Sequence, residues 1–427
     1  LGGLALVACT MPIPSRPAPT SAPTPTAAGA LLAHCAGLPD DRDVPAPAPP
    51  DTTTDDANDP REAAMKFNPA RPIDYDPASN TIVLGAEAPT SLPLLARALK
   101  PAGLLHELAP GEWLLSANLW LGPGAELNIA GPAARRLKLH SDRSRFVWIK
   151  SYGGRLTFAN TCVTSWDSGL GTVDTNTDDG RSFVLARDGA RMEIRDSELS
   201  YLGFLANESY GVAWRRPGTS GVAIDSRFGH NFYGLYSHEA SGLVIRGNEV
   251  HHSTRYGIDP HTRSNGLVIE YNIAHHNGKQ GIILAEECND SIIRGNTVYA
   301  NALHGIVIYQ RSNGNLIEDN TSYGNTLQGI NVNDSARNTI RANTSYDNGD
   351  AGIGVGQGAA GNLVVGNTVR DNLKDGIYLF SDAVGNTVRD NTVHGNARYG
   401  IYAKSPGNII GDNQLSGNHA ADLREGG

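Results

Sequence analysis

Between residues 211 and 403, apolar and polar positions alternate in short bursts rather than in the longer beat of a helix. A glycine followed by an aliphatic residue recurs at Gly211-Val212, Gly234-Leu235, Gly257-Ile258, Gly281-Ile282, Gly305-Ile306, Gly329-Ile330, Gly352-Ile353, Gly376-Ile377 and Gly400-Ile401, with spacings of 23 or 24. With each glycine as position zero, +1 and +3 are nearly all apolar, as in Ile282/Leu284 and Ile306/Ile308. The two-residue period of a strand turns these positions inward and +2 and +4 outward. An asparagine keeps the same beat at Asn248, Asn272, Asn296, Asn320, Asn343, Asn367 and Asn391, and a second follows each by about five residues from Asn277 to Asn396.

A fixed period of this size means stacked coils. Two or three short strands per coil of about 24 residues predict an all-β chain, a right-handed parallel β-helix. The asparagines are expected at tight turns, in left-handed backbone conformation, bonding to the coils above and below. The glycines mark a second turn or a crowded spot. Upstream, "EWLLSANLWLG", "AELNIAG", "RRLKLHS", "RFVWIKS" and "RLTFANTCVTSW" read as further strands. "SLPLLARALK" (91–100) has helical spacing with Ser91 as a cap, and is expected to cover the open end as a short capping helix.

Residues 73–427 are thus one β-helix domain. Residues 10–72 are rich in Pro, Ala, Thr and Asp and read as a disordered linker. Residues 1–9 read as the remnant of an export signal. Leu6-Val7-Ala8 before Cys9 is similar to the lipobox of bacterial lipoproteins, which implies acylation of Cys9 and a periplasmic or cell-surface location. The chain has 49 glycines and 40% hydrophobic residues, in keeping with turn-rich β structure. A formal net charge of −9 argues against nucleic acid as a partner. No apolar run is long enough to span a membrane, so membrane contact is expected only through Cys9, and a monomer is expected. With Cys9 lipidated, Cys35, Cys162 and Cys288 are left, an odd number spread widely, and no structural disulfide network is expected.

Candidate chemistry lies in the outward columns. At +2 stand Tyr236 and Asp259; at +4 stand Arg215, His238, His261 and Tyr309. Neighbouring coils lie about 4.8 Å apart, so Tyr236, His238, Asp259 and His261 form one patch. Pro260 separates Asp259 from His261, points inward and breaks a ladder bond. Arg263 and Arg311 sit just beyond the strand ends, and Lys279 is a further nearby cation. From Gly211 to Arg311, nine basic residues face eight acidic ones, which permits a polyanion to lie along the groove. A long groove suits a linear polymer. Exported polymers that need both cations and proton-transfer groups are uronic-acid polysaccharides. Removing their C5 proton takes a cation to neutralise the carboxylate, a base and a proton donor. Reprotonation at C5 gives epimerisation; protonation of the leaving O4 gives elimination by a lyase.

"YGIDPH" (256–261) resembles the signature of mannuronan C5-epimerases, both the periplasmic alginate-biosynthesis type and the secreted calcium-dependent type. "TCVTSWDS", "SYGVAW", "FYGLYSHEASGLVIRG" and "ECNDSIIRGN" are similar to the periplasmic type. The resemblance covers roughly residues 105–405. It implies conversion of β-D-mannuronate to α-L-guluronate in alginate or polymannuronate, with His261 as the base, Asp259 as its orienter or a carboxylate binder, and Tyr256 in an acid/base role. Strand parity places Tyr256 inward, against that role. His304 matches a histidine of the secreted type. The motif departs at Thr262 and Asn265, where the periplasmic type carries Asp and His. Glu286 stands where that type has the arginine that neutralises the substrate carboxylate. Arg263 or Arg311 is favoured by position for that role, with Lys279 and Arg215 as other candidates. Neither a metal nor another cofactor is assigned. The sequence lacks the Gly/Asp-rich nonapeptide repeats, and a calcium requirement is left open. A lyase on the same polymer and a non-catalytic polysaccharide-binding solenoid are the alternatives.

Overall fold

In a computed structural model, the structure describes Cys35, residues 71–99 and residues 103–426. The expected signal remnant, its Cys9 and nearly all of the expected linker lie outside the described residues. Parallel strands stack into three long sheets that wrap one apolar core. A typical coil contributes Ile258–His261 to the first sheet, Val268–Glu270 to the second and Ile273–His275 to the third. Each strand pairs in parallel with its counterpart one coil on, as in Ile282↔Ile306 and Val298↔Ser322. The +1 and +3 residues of the first sheet do face inward: Val212, Leu235, Ile258, Ile282, Ile306, Ile330 and Ile353 are completely or almost completely buried.

The coils begin before the 24-residue beat does. Thr81–Leu84 already pairs in parallel with Asn118–Leu121, and that strand with Trp148–Tyr152. Longer loops separate the strands there, which hides the period. The helix Leu92–Ala98 lies over this end and buries Leu92 and Leu95 in the core. Ser91 occupies its N-cap position without a side-chain bond to the helix.

Asparagine ladders run along all three corners. Between second and third sheets, Asn272 Oδ1 accepts from both the backbone N–H and the side-chain amide of Asn248, and its own amide donates to Asn296 Oδ1 at 3.0 Å. The second ladder runs from Asn277 to Asn418. A third, at Asn315, Asn338, Asn362, Asn386 and Asn408, joins first and second sheets and was not expected. The asparagines are not left-handed, as the sequence suggested. That conformation falls on the residue just before them, such as Tyr271 (φ 57) and Asp319 (φ 54). The asparagine itself is spent on bridging coils. The repeating glycines are required by crowding. A Cβ on Gly257 would lie 2.5 Å from the carbonyl oxygen of Gly281 and 2.8 Å from the amide of ladder residue Asn277.

One cysteine expectation is overturned. Cys35 is buried and disulfide-bonded to Cys162, 127 residues away. An odd count hid the pair, because Cys35 lies outside the repeats and carries no register. Cys288 is a buried thiol pushed up to about 12 by desolvation.

Candidate active site

The first sheet's outward face holds the cleft. Across coils, its registers align Tyr236 with Asp259, His238 with His261, and Ala285 with Tyr309. Upstream, the loop between Tyr201 and Tyr210 folds back over this face. Its Glu208 pairs with Arg187 and lies 3.7 Å from Lys150, and its Asn207 accepts from Arg215 at 2.8 Å. Phe204 and Leu205 pack on the same face. Where this cover ends, a cavity of about 350 Å³ opens over Tyr256, Asp259, His261, Gln280, His304 and Tyr309. Tyr210, Tyr233 and Tyr236 form its upstream wall, and Asn331 and Asn333 its downstream end. Ile283, Ala285 and Val307 supply an apolar patch between them.

Pro260 acts as expected. Pairing between its strand and the next is confined to Ile258↔Ile282 and His261↔Ala285, leaving a gap beside the proline. His261, at the strand end, is held by a short relay. Its Nδ1 lies 2.8 Å from Thr262 Oγ1, and that hydroxyl donates to Glu286 Oε2 at 2.8 Å. A hydroxyl has one proton to give. Having given it to the carboxylate, Thr262 accepts from His261 Nδ1–H, so the basic lone pair resides on Nε2. Glu286, where the sequence comparison left a missing arginine, therefore braces the imidazole; its carboxylate is 3.6 Å from Nδ1.

Tyr256 corrects the parity argument. Its strand begins only at Ile258, so alternation does not extend back across Gly257. The −1 residues Tyr210, Tyr233, Tyr256, Gln280 and His304 all line the cleft as a further outward column. The repeated Tyr-Gly pairs were the signal for Tyr210 and Tyr233. Tyr256 stacks on Tyr233 with ring centroids 5.4 Å apart, and Lys279 Nζ donates to its hydroxyl at 3.2 Å.

The expected cations are elsewhere. Arg263 and Arg311 leave the sheet in left-handed turns (φ 55 and 56) and pair with Glu239 and Glu287, one coil back. Arg215 is fully buried beneath the upstream loop. His238 is buried beside Glu239 and does not line the cavity. The patch expected at the surface is thus divided: Tyr236, Asp259 and His261 stay together in the cleft, and His238 drops out. Among the described residues lining the cavity none is a lysine or arginine; Lys279 stands just behind Tyr256. Among the described residues, Gln280 Oε1, His304 Nδ1 and Asn331 Oδ1 in the cavity wall have no hydrogen-bond partner in the protein. Burial pushes His304 down to about 4, so its ring is neutral at neutral pH.

Residues 161–322 and 282–426 match the family model of the right-handed beta helix region. Over 178 residues, 39% of this chain, the sequence is 31% identical to a mannuronan C5-epimerase of Pseudomonas aeruginosa. Over 183 residues, 40% of this chain, it is 31% identical to the mannuronan C5-epimerase AlgG of Azotobacter vinelandii. These matches cover 32% and 34% of those proteins, so the chain matches about a third of the length of its curated relatives. A crystal structure of the periplasmic alginate epimerase AlgG superposes with a TM-score of 0.74 at 24% identity, covering 78% of this chain and 84% of that one. The matched family model spans more than half of the sequence and the coils have its architecture: the chain belongs to the right-handed beta helix family.

Proposed function

We propose that the protein is a polyuronate C5-epimerase, converting mannuronate to guluronate residues in alginate or a closely related polymer. The observation that carries the reading is the His261–Thr262–Glu286 relay at the edge of the cleft, which directs the basic nitrogen of the imidazole away from its brace. The similarity to proteins named mannuronan C5-epimerase supports it. The name of the superposed periplasmic enzyme supports a periplasmic location, and acylated Cys9 would hold the chain at a membrane surface.

In this mechanism His261 Nε2 takes the C5 proton and the electron pair moves into the carboxylate as an enediolate. The phenol of Tyr256 returns a proton to the opposite face of C5. Lys279, 3.2 Å from that phenol oxygen, stabilises the negative charge left on it. Proton exchange with water then restores the neutral imidazole and the phenol. Asp259, one coil from Tyr236 and almost fully buried, fixes the floor beneath the sugar. With no arginine or lysine in the described lining, substrate recognition falls on amides. Gln280 and Asn331 offer acceptors to sugar hydroxyls, and rotation of either amide presents its NH2 to the carboxylate. Tyr236, His304 and Tyr309 line the same subsite, whereas Arg215, Arg263, Arg311 and His238 act outside it.

Incubation with polymannuronate, followed by proton NMR, tests the reading. New guluronate signals are expected. An unsaturated chain end would instead identify a lyase, and binding without either product a non-catalytic solenoid.

A further inference from the structure

A second cluster lies on another part of the solenoid. The corner after the third sheet carries His230, His251, His252, His275 and His276 in two adjacent columns. His230, His252 and His276 stack in one, with centroids 5.1 and 5.2 Å apart; His251 and His275 stack in the other at 5.4 Å. None of them lines the cleft.

We propose that His230, His251 and His252 form a binding site for one borderline divalent transition-metal ion of the Zn²⁺ or Cu²⁺ class. One nitrogen from each ring lies within 4.8 Å of the others. His251 Nδ1 and His252 Nδ1 are 2.9 Å apart and point at each other. Zinc–nitrogen bonds of about 2.0–2.1 Å place two ligand nitrogens roughly 3–3.5 Å apart, so the pair needs to open only slightly. Without an ion, one facing nitrogen donates its proton to the other. With an ion, the donor ring carries that proton on its other nitrogen, and both facing lone pairs bind metal with no change in charge.

The chain makes room for this arrangement. A Cβ on Gly229 would lie 2.6 Å from the His251 ring, so only glycine there lets that ring lie against the preceding coil, beside His230. The next pair down does not form an equivalent site. His275 and His276 also face each other at 2.8 Å, with His252 on the coil before them, but His275 Nε2 is 3.1 Å from Glu249, which engages that ring as a hydrogen-bond partner. On the other side, the His230 column ends on Tyr201. The donor set is three imidazoles, which suits Zn²⁺ or Cu²⁺ and not Ca²⁺, whose ligands are oxygens. His230 and His252 are partly exposed and give an ion access, while His251 is buried. Three protein ligands leave one position for water or an exogenous donor.

The test uses untagged full chain, stripped with chelator and titrated with Zn²⁺ by calorimetry, then with Cu²⁺ by electron paramagnetic resonance. One tight equivalent is expected, with nitrogen superhyperfine structure for Cu²⁺. His230→Asn and His252→Asn are each expected to weaken binding at least tenfold, while His419→Asn, far along the chain, leaves it unchanged. Circular dichroism melts establish that each variant is folded. Absence of a tight equivalent in the wild type, or wild-type binding by the folded His230→Asn and His252→Asn proteins, overturns the proposal. Loss of binding only on His276→Asn also overturns it, by moving the ion to the other pair.

Discussion

Asn320 and Asn331 are the same residue type, eleven positions apart and both buried, yet they belong to different systems. Asn320 is a rung in a corner ladder. Its oxygen accepts from the backbone and side chain of Asn296, and its amide donates to Asn343 and to the Ile293 carbonyl. Asn331 is aligned with Val307 and Gly354 on the first sheet, where no ladder can form, and its Oδ1 lacks a hydrogen-bond partner in the protein. A polar group that repeats in every coil is satisfied by its own copies. One that breaks the column is left facing the cleft, where a ligand can satisfy it.

The largest expected effect separates chemistry from architecture outright. His261→Gln should lower turnover on polymannuronate by about 10³-fold, within the span general bases contribute, with the melting temperature unchanged. Asn320→Ala should do the reverse. It strands several buried partners at once and should cost about 2–4 kcal/mol of stability in denaturant melts, with turnover retained at low temperature.

His304 links the cleft to acid stability. Its folded-state value is near 4 against an ordinary 6.5. As pH falls below 6.5 the unfolded chain takes up the proton first, so stability declines and the loss is complete below 4. The loss amounts to at most about 3 kcal/mol. Chemical denaturation of His304→Gln between pH 7 and 4 should show a flatter profile than the wild type. A smaller effect is expected from Thr262→Val, which removes the relay without touching the imidazole. Turnover should fall about 10–100-fold, with KM nearly constant, if the relay acts on the transition state. A wild-type rate would remove Glu286 from the account. Smallest is Asn331→Ala: KM rises by a factor of about 5, roughly 1 kcal/mol, and the protein melts no earlier than wild type.

The same contrast explains what was legible in the sequence. The stacked fold, the inward +1 and +3 residues and two ladders follow from repetition, because each coil poses the same packing problem. The cleft's centre, Asp259 and His261, was legible because it interrupts that repetition. Arg263 and Arg311 were misplaced because turns after the strand ends redirect them to glutamates one coil back. Strand parity fails at Tyr256 because its strand begins only at Ile258 and alternation does not cross Gly257. The upstream loop that covers Arg215 has no period, and neither it nor the Cys35–Cys162 bond could be read from spacing.

His261 is the group that removes the C5 proton of a uronate residue in the proposed mechanism. The most direct test of this role is solvent exchange: polymannuronate is incubated in heavy water with wild-type protein and with His261→Gln, and deuterium at C5 is read by NMR. Deuterium at C5 is expected with wild type, without an unsaturated product, and none with the variant. Exchange at the wild-type rate by a folded His261→Gln protein would contradict that role.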